Sequence, residues 1–159
     1  MNRVLISSQN IPVPKWGKCL GGFTRKVLVL LVRDKWDVSI LLCDDETIKQ
    51  LNSKYRGKSE ATDVLTFVMG TIDNNGGRRL AGDIVISLDT LRENSGRFNI
   101  SEDEELRRLL IHGILHLDGM DHKTNGETEP MLQLQEKILT NLKGESIMPK
   151  KRIPAGSKR

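Results

Sequence analysis

The sequence predicts a single α+β domain with a small mixed β-sheet packed with about five helices. The chain has 159 residues, which is enough for one domain with a proper core. Strand and helix patterns mix along the chain, a hairpin pattern lies near its middle, and no internal repeat interrupts them. We therefore predict one domain over residues 1–143, followed by a basic and disordered tail over residues 144–159.

Four short segments have the composition of strands. Each is rich in β-branched or aliphatic residues, and two of them flank a turn signal of Asp, Asn and Gly, which predicts a hairpin. A half-buried strand is expected where apolar and polar residues alternate. The four predicted strands are Arg3–Ser7, Val38–Cys43, Val64–Met69 and Leu80–Ser87, with the hairpin turn at Asp73–Gly77.

Five segments have the pattern of helices. Asp44 can cap one of them, whose acidic residues come first and whose basic residues come last, as the helix dipole favours. Ser101 and Glu104 form a capping box at the start of another. Gly21 and Gly22 weaken the first helix, because interior glycine costs about 1 kcal/mol. The predicted helices are Lys15–Val32, Asp44–Gly57, Leu88–Ser95 closed by Gly96, Ser101–Leu117 closed by Gly119, and Glu129–Gly144.

Composition restricts the class of protein only loosely. The net charge is +4, which suits a polyanionic partner such as RNA and suits plain solubility equally well. Cys19 and Cys43 each sit in an apolar stretch outside any C-x-x-C pair, which predicts two buried free thiols in a reducing compartment. The first residues lack a signal-peptide pattern, and the longest apolar run, Val27–Val32, is too short for a membrane span. We expect a cytoplasmic protein.

The three histidines of the chain all lie within the segment HGILHLDGMDH. His112 and His116 are four residues apart, so on a helix they lie within about 40° of each other and can hold one metal ion. Gly119 can end the helix in a left-handed conformation, which brings His122 back towards the pair. This pattern predicts one zinc ion per chain, although three histidines also accept nickel, cobalt or copper.

Three protein ligands on zinc leave a fourth position for water, which is typical of a catalytic site. Metalloproteases with this histidine spacing carry a Glu base after the first His, but position 113 is Gly, which cannot accept a proton. Asp118 or Asp121 can act as a fourth ligand, orient a histidine, or belong to an ordinary turn. The pattern therefore predicts a metal-dependent hydrolase and argues against a standard protease.

A second group of polar residues is Tyr55-Arg56-Gly57-Lys58. Arg56 lies at the predicted C-terminus of a helix, where a cation is favourable without any further function. The alternative is that its guanidinium binds a phosphate through two parallel hydrogen bonds. On the spacing alone, the capping role is favoured.

Together, these two segments show that the chain resembles the YbeY family of ribosomal RNA maturation factors. The metal signature of that family is similar to H-G-x-L-H-L-x-G-x-D-H, which residues 112–122 match at every fixed position. The resemblance covers about Val38 to Leu142, including the strand Gly82–Ile86. A second family pattern, Y-R-G-x-x-x-x-T-[DN]-V-L-[ST]-F, is matched by Tyr55, Arg56, Gly57, Thr62, Asp63, Val64, Leu65, Thr66 and Phe67.

The resemblance implies a zincin-like fold with the metal on a helix of the C-terminal half. It implies a single-strand-specific, metal-dependent endoribonuclease that acts in maturation of the 3′ end of small-subunit (16S) ribosomal RNA and in ribosome quality control. Its expected partners are ribosomal RNA and the small ribosomal subunit. The metal ligands of the family carry over onto His112, His116 and His122, and its functional arginine carries over onto Arg56, which shifts the balance towards phosphate binding.

Two other functions remain open at this stage. A non-catalytic ribosome assembly factor, with zinc holding the site rigid, would have the same basic charge. A metallopeptidase with an unusual base would need a carboxylate that the sequence does not single out.

Overall fold

The computed structural model describes residues 1–150 and gives them four strands and five helices. The single α+β domain with a mixed sheet is confirmed, and each predicted element is present with bounds shifted by a few residues. In chain order the elements are β1 (Arg3–Gln9), α1 (Gly17–Leu30), β2 (Trp36–Cys43), α2 (Asp45–Arg56), β3 (Val64–Ile72), β4 (Arg79–Ser87), α3 (Leu88–Phe98), α4 (Glu102–Leu117) and α5 (Pro130–Asn141).

The four strands form one sheet in the order β1-β2-β4-β3. Strands β1, β2 and β4 are parallel, and β3 pairs antiparallel to β4 at one edge, as the predicted hairpin requires. At Gly82 φ is +140°, and an added Cβ would lie 2.0 Å from the carbonyl oxygen of Phe67. Only glycine fits here, because the backbones of β3 and β4 approach each other too closely for a side chain.

Alternate residues of the sheet supply two separate cores. Ile40, Ile84 and Ile86 point to the face that α1 and α4 cover, and each of them is 0% exposed. Cys43 and Val85 point to the opposite face, where Ile48 of α2 packs on them. This period of two is the ordinary consequence of the strand pleat. Helix α5 packs against the outside of α4 and completes the domain.

Three expectations differ from the structure. Helix α3 continues through Gly96 to Phe98, because Asn99 adopts the left-handed conformation (φ 54°) that closes it, and asparagine tolerates that conformation well. Both cysteines are free, but only Cys43 is buried. Cys19 is exposed, because it lies on the outer side of α1 while Leu20 and Phe23 face the core.

The third difference concerns the predicted tail. Ile147 is 2% exposed and packs in the main core, and the backbone N–H groups of Ile147 and Met148 each donate to Oδ1 of Asp103 over 2.7 Å. The chain therefore remains part of the domain beyond residue 144. The rest of the predicted tail, residues 151–159, lies outside the described residues. Within residues 1–150, the helices are all too short or too polar to cross a bilayer.

Candidate metal centre

Helix α4 carries two of the three histidines on one face. The hydroxyl of Ser101 accepts a hydrogen bond from the N–H of Glu104, which caps the helix as the sequence predicts. Buried residues such as Leu110 and Ile114 anchor the opposite face of α4 in the core. His112 and His116 are therefore half-buried, and their ring centres lie 4.7 Å apart.

The chain reverses after α4 and returns the third histidine to the pair. Gly119 adopts φ +92°, and the N–H of Met120 donates to the carbonyl of Leu115 over 3.0 Å. This is the glycine-dependent helix end that the sequence predicts. The ring centre of His122 consequently lies 5.1 Å from that of His112 and 5.4 Å from that of His116.

The Nδ1 atom of each imidazole is held by an oxygen acceptor. Nδ1 of His112 donates to the side-chain Oε1 of Gln135 over 2.7 Å, and Nδ1 of His116 donates to the carbonyl of Met120 over 3.1 Å. Nδ1 of His122 donates to the carbonyl of Thr124 over 2.9 Å. A neutral imidazole has one donor and one acceptor nitrogen, so each Nε2 keeps a lone pair. Such anchoring is typical of metal-ligating histidines.

The three Nε2 lone pairs lie close enough together for one cation to bind all of them. Nε2 of His112 and Nε2 of His116 lie 3.1 Å apart, and neither carries a proton when both Nδ1 atoms donate. Two ligands of a tetrahedral zinc ion are separated by about 3.3 Å, given Zn–N bonds of about 2.0–2.1 Å. One nitrogen from each of the three rings lies within 4.8 Å of the others. The nitrogens of His112, His116 and His122 therefore form a donor set that can hold a metal ion, and their spacing is compatible with zinc.

Burial favours the ligand form of the histidines. Desolvation lowers the pKa of His112 below its usual 6.5, and it lowers the pKa of His116 in the same way. The neighbouring imidazoles add to the effect, because one charged ring disfavours another. At neutral pH the two rings are neutral, as metal coordination requires.

Arg56 is the last residue of α2, and its side chain contacts β3. Its Nη2 donates to the carbonyl of Thr66 on β3 over 2.6 Å, and the guanidinium lies 5.5 Å from the ring centre of Phe67. Gly57 closes the helix in the left-handed conformation (φ 69°), as expected. The side chain thus lies along the β3 edge, while Arg56 also remains a cation in the last turn of α2.

A cleft of about 760 Å³ brings the two groups of polar residues together. Arg56 and Lys58 line this cleft together with His112 and His116. Residues 64–66 of β3 line it as well. The tertiary structure therefore places two cations and two of the three histidines around one cavity, although they are far apart in the sequence, and His122 lies beside the cleft without lining it.

The two carboxylates near the histidines, Asp118 and Asp121, make different hydrogen bonds. Asp118 accepts two hydrogen bonds from Arg33, over 2.7 and 3.2 Å, which leaves it bound outside the cleft. Asp121 lines the cleft, and its Oδ1 accepts from the backbone N–H of His122 over 2.8 Å. A Cβ at Gly113 would lie 3.0 Å from the side chain of Ile84, so position 113 faces the sheet and offers no room for a carboxylate base.

Sequence reasoning missed Gln135, which holds His112. Gln135 is 7% exposed on α5, within a stripe otherwise formed by Met131, Ile138 and Leu139. A polar residue in the middle of an apolar helix face was the available signal, since buried amides need partners. The carbonyl of Thr124 carries no side-chain signal and was not predictable.

Comparisons with known proteins find relatives over most of the chain. The family described as Endoribonuclease YbeY matches residues 8–143. A protein of Treponema pallidum (strain Nichols) named Endoribonuclease YbeY is 46% identical to this chain over 142 residues, which cover 87% of this chain and 89% of that relative. The relative from Treponema denticola is 48% identical over 128 residues (79% and 83%), and that from Persephonella marina is 38% identical over 144 residues (90% and 94%).

A solved structure has a similar fold. The solution structure of TM1509 from Thermotoga maritima matches with a TM-score of 0.61 and 29% sequence identity. The match covers 89% of this chain and 90% of that protein.

Proposed function

Since the chain belongs to the YbeY family of endoribonucleases, and is accordingly a hydrolase of RNA, we propose that it cleaves single-stranded RNA in a metal-dependent reaction. The observation that carries the proposal is the single cleft shared by Arg56, Lys58, His112 and His116. We further propose that its substrate is the 3′ end of small-subunit ribosomal RNA, that it acts in the cytoplasm during ribosome maturation and quality control, and that it contacts the small subunit.

The three histidines are the proposed ligands of one zinc ion. They supply three nitrogen donors, and a metal with three protein ligands keeps a coordination position open, as in catalytic zinc sites. When bound, the ion would polarise a phosphodiester oxygen and lower the pKa of a water molecule. The acceptors behind each Nδ1 keep the rings oriented for that task.

Arg56 and Lys58 are the proposed phosphate-binding groups. A guanidinium that is already held by the carbonyl of Thr66 keeps other N–H donors for phosphate oxygens and needs little reordering. Positive charge here would stabilise the negative charge that grows on the phosphate during cleavage. A cleft of about 760 Å³ is of the size that encloses a small ligand, which suits a nucleotide or two of a single strand.

The nucleophile of the proposed reaction is either water or the 2′-hydroxyl of the RNA. The two routes leave different product ends. A 2′,3′-cyclic phosphate indicates attack by the 2′-hydroxyl, whereas a 5′-phosphate with a 3′-hydroxyl indicates attack by water. Mass spectrometry of the fragments from a short single-stranded RNA distinguishes them.

The first experiment combines metal analysis with RNA cleavage. Protein purified without chelator or nickel affinity is expected to carry about one zinc per chain, and His116→Ala is expected to lose it. Arg56→Glu is expected to keep the zinc and lose cleavage of a single-stranded RNA that ends in the small-subunit 3′ sequence. Arg97→Glu is the matched control, because it changes the net charge equally on an exposed part of α3.

Two results would overturn the proposal. If Arg56→Glu cuts RNA as the parent does, Arg56 has no part in the reaction. If zinc-loaded protein binds ribosomal RNA without cutting it, the assembly-factor function replaces the nuclease.

A further inference from the structure

Behind His112 lies a series of hydrogen bonds that ends on a carboxylate, which accepts from both sides. Oε1 of Gln135 accepts from His112, and Nε2 of Gln135 donates to Oε2 of Glu136 over 3.1 Å. Arg108 then donates to both carboxylate oxygens of Glu136, over 3.1 and 3.0 Å. We call Arg108, Glu136 and Gln135 the relay.

The relay determines which way the amide of Gln135 points. An ionised carboxylate only accepts hydrogen bonds, so the group of Gln135 that faces Glu136 must be the NH₂ donor. Burial alone would raise the pKa of Glu136, but the hydrogen bonds from Arg108 and Gln135 and the positive charge of Arg108 together lower it. Glu136 is therefore ionised at neutral pH, and Oε1 of Gln135 is left facing His112 as an acceptor.

An acceptor at this position selects one form of His112. Only the tautomer with its proton on Nδ1 can donate to Oε1, and that tautomer leaves Nε2 free for a metal. Gln135 is 7% exposed and is packed between α5 and α4, so its side chain has little freedom to turn. Its amide is also neutral, whereas a carboxylate would place a negative charge next to the ligand.

We propose that Gln135 is a positioning residue that fixes the tautomer and ring orientation of His112 through the relay, and does so without reducing the positive charge of the cleft. The proposal rests on the metal site proposed above. A neutral partner suits a site whose substrate is a polyanion, because the charge of the metal and of Arg56 remains available to the phosphate.

The test uses zinc itself and three variants of the full chain. Gln135→Met keeps the volume but removes the acceptor, and we expect zinc affinity to fall about 10–100-fold. Gln133→Met makes the same change at an exposed position of α5 and should leave zinc affinity unchanged. Gln135→Glu restores an acceptor, so zinc affinity should return to at least the parent value while the KM for RNA rises.

Zinc affinity is measured by competition with a chromophoric chelator. Nitrogen NMR shifts of the metal-free protein report the tautomer of His112, which should be Nδ1–H in the parent and mixed in Gln135→Met. The proposal falls if Gln135→Met binds zinc as tightly as the parent, or if Gln135→Glu is as weak as Gln135→Met. Absence of zinc from the parent would instead overturn the proposed function, so the two failures are distinguishable.

Discussion

Replacement of Gly113 by alanine tests the close approach of α4 to the sheet. A Cβ at this position would lie 3.0 Å from Cδ1 and Cγ2 of Ile84 and 3.1 Å from its Cγ1. Ile84 is 0% exposed and lies in the main core, so it has little room to withdraw. Gly113 therefore allows α4, the helix that carries His112 and His116, to lie close to β4.

Two opposing terms decide the effect on the free energy of unfolding. Alanine in a helix interior is favoured over glycine by about 1 kcal/mol. Added volume in a packed core costs about 1–3 kcal/mol. We expect the packing term to win and Gly113→Ala to lower the free energy of unfolding by about 1 kcal/mol. Gly22→Ala is the matched control, because nothing lies within 4 Å of its added Cβ in α1, and it should gain up to about 1 kcal/mol.

Urea denaturation of metal-free protein measures both variants, so that zinc affinity does not enter the comparison. Ile84→Val removes the Cδ1 methyl group, and the double variant with Gly113→Ala should recover part of the loss as a favourable coupling energy. If Gly113→Ala is stabilised as much as Gly22→Ala, close packing does not explain the glycine next to His112.

Three further predictions concern other parts of the chain. Burial raises the pKa of the Cys43 thiol to about 12, whereas Cys19 is exposed. A thiol reagent at pH 8 should therefore modify Cys19 alone in native protein and both cysteines in denaturant. Two fast-reacting thiols in native protein would contradict this expectation. Val32 adopts φ +57°, which is a costly conformation for a β-branched residue, so Val32→Gly should raise the free energy of unfolding by about 1 kcal/mol. Asn99 also has a positive φ, but asparagine tolerates it, so Asn99→Gly should change the free energy of unfolding little. Equal effects of the two substitutions in urea titrations would refute the strain at Val32. Desolvation lowers the pKa of His112 in the folded state, so the unfolded chain binds more protons than the folded chain below about pH 6.5. Metal-free protein should therefore lose stability as the pH falls through that value, and the loss should be smaller in His112→Gln. The same dependence of the melting temperature on pH in both proteins would contradict the shift.

Many features of the molecule could be predicted from its sequence, because they depend on interactions between residues close together in the chain. Asp44 and Ser101 accept the capping hydrogen bonds that were expected of them, because a cap depends on residues three positions apart. His112 and His116 share a face because the helical repeat determines it, and Gly119 returns His122 because few other residues adopt its backbone conformation. The strand pattern likewise predicted the β3–β4 hairpin.

Other features depend on contacts between distant segments. The same composition made Cys19 and Cys43 look alike, and only the packing of α1 and β2 left one exposed and the other buried. Ile147 belongs to the core because Asp103, far back in the chain, holds its backbone.

The candidate site shows the same division between local and long-range information. The sequence by itself determined the three histidines and their spacing, because that pattern is local to α4 and the turn after it. Only the tertiary structure decided that Arg56 shares a cleft with His112 and His116 and that Gln135 supports His112. Both contacts depend on how α2 and α5 pack around the sheet and α4. That packing is stabilised by residues from the whole core, so it cannot be predicted from any single segment of the sequence.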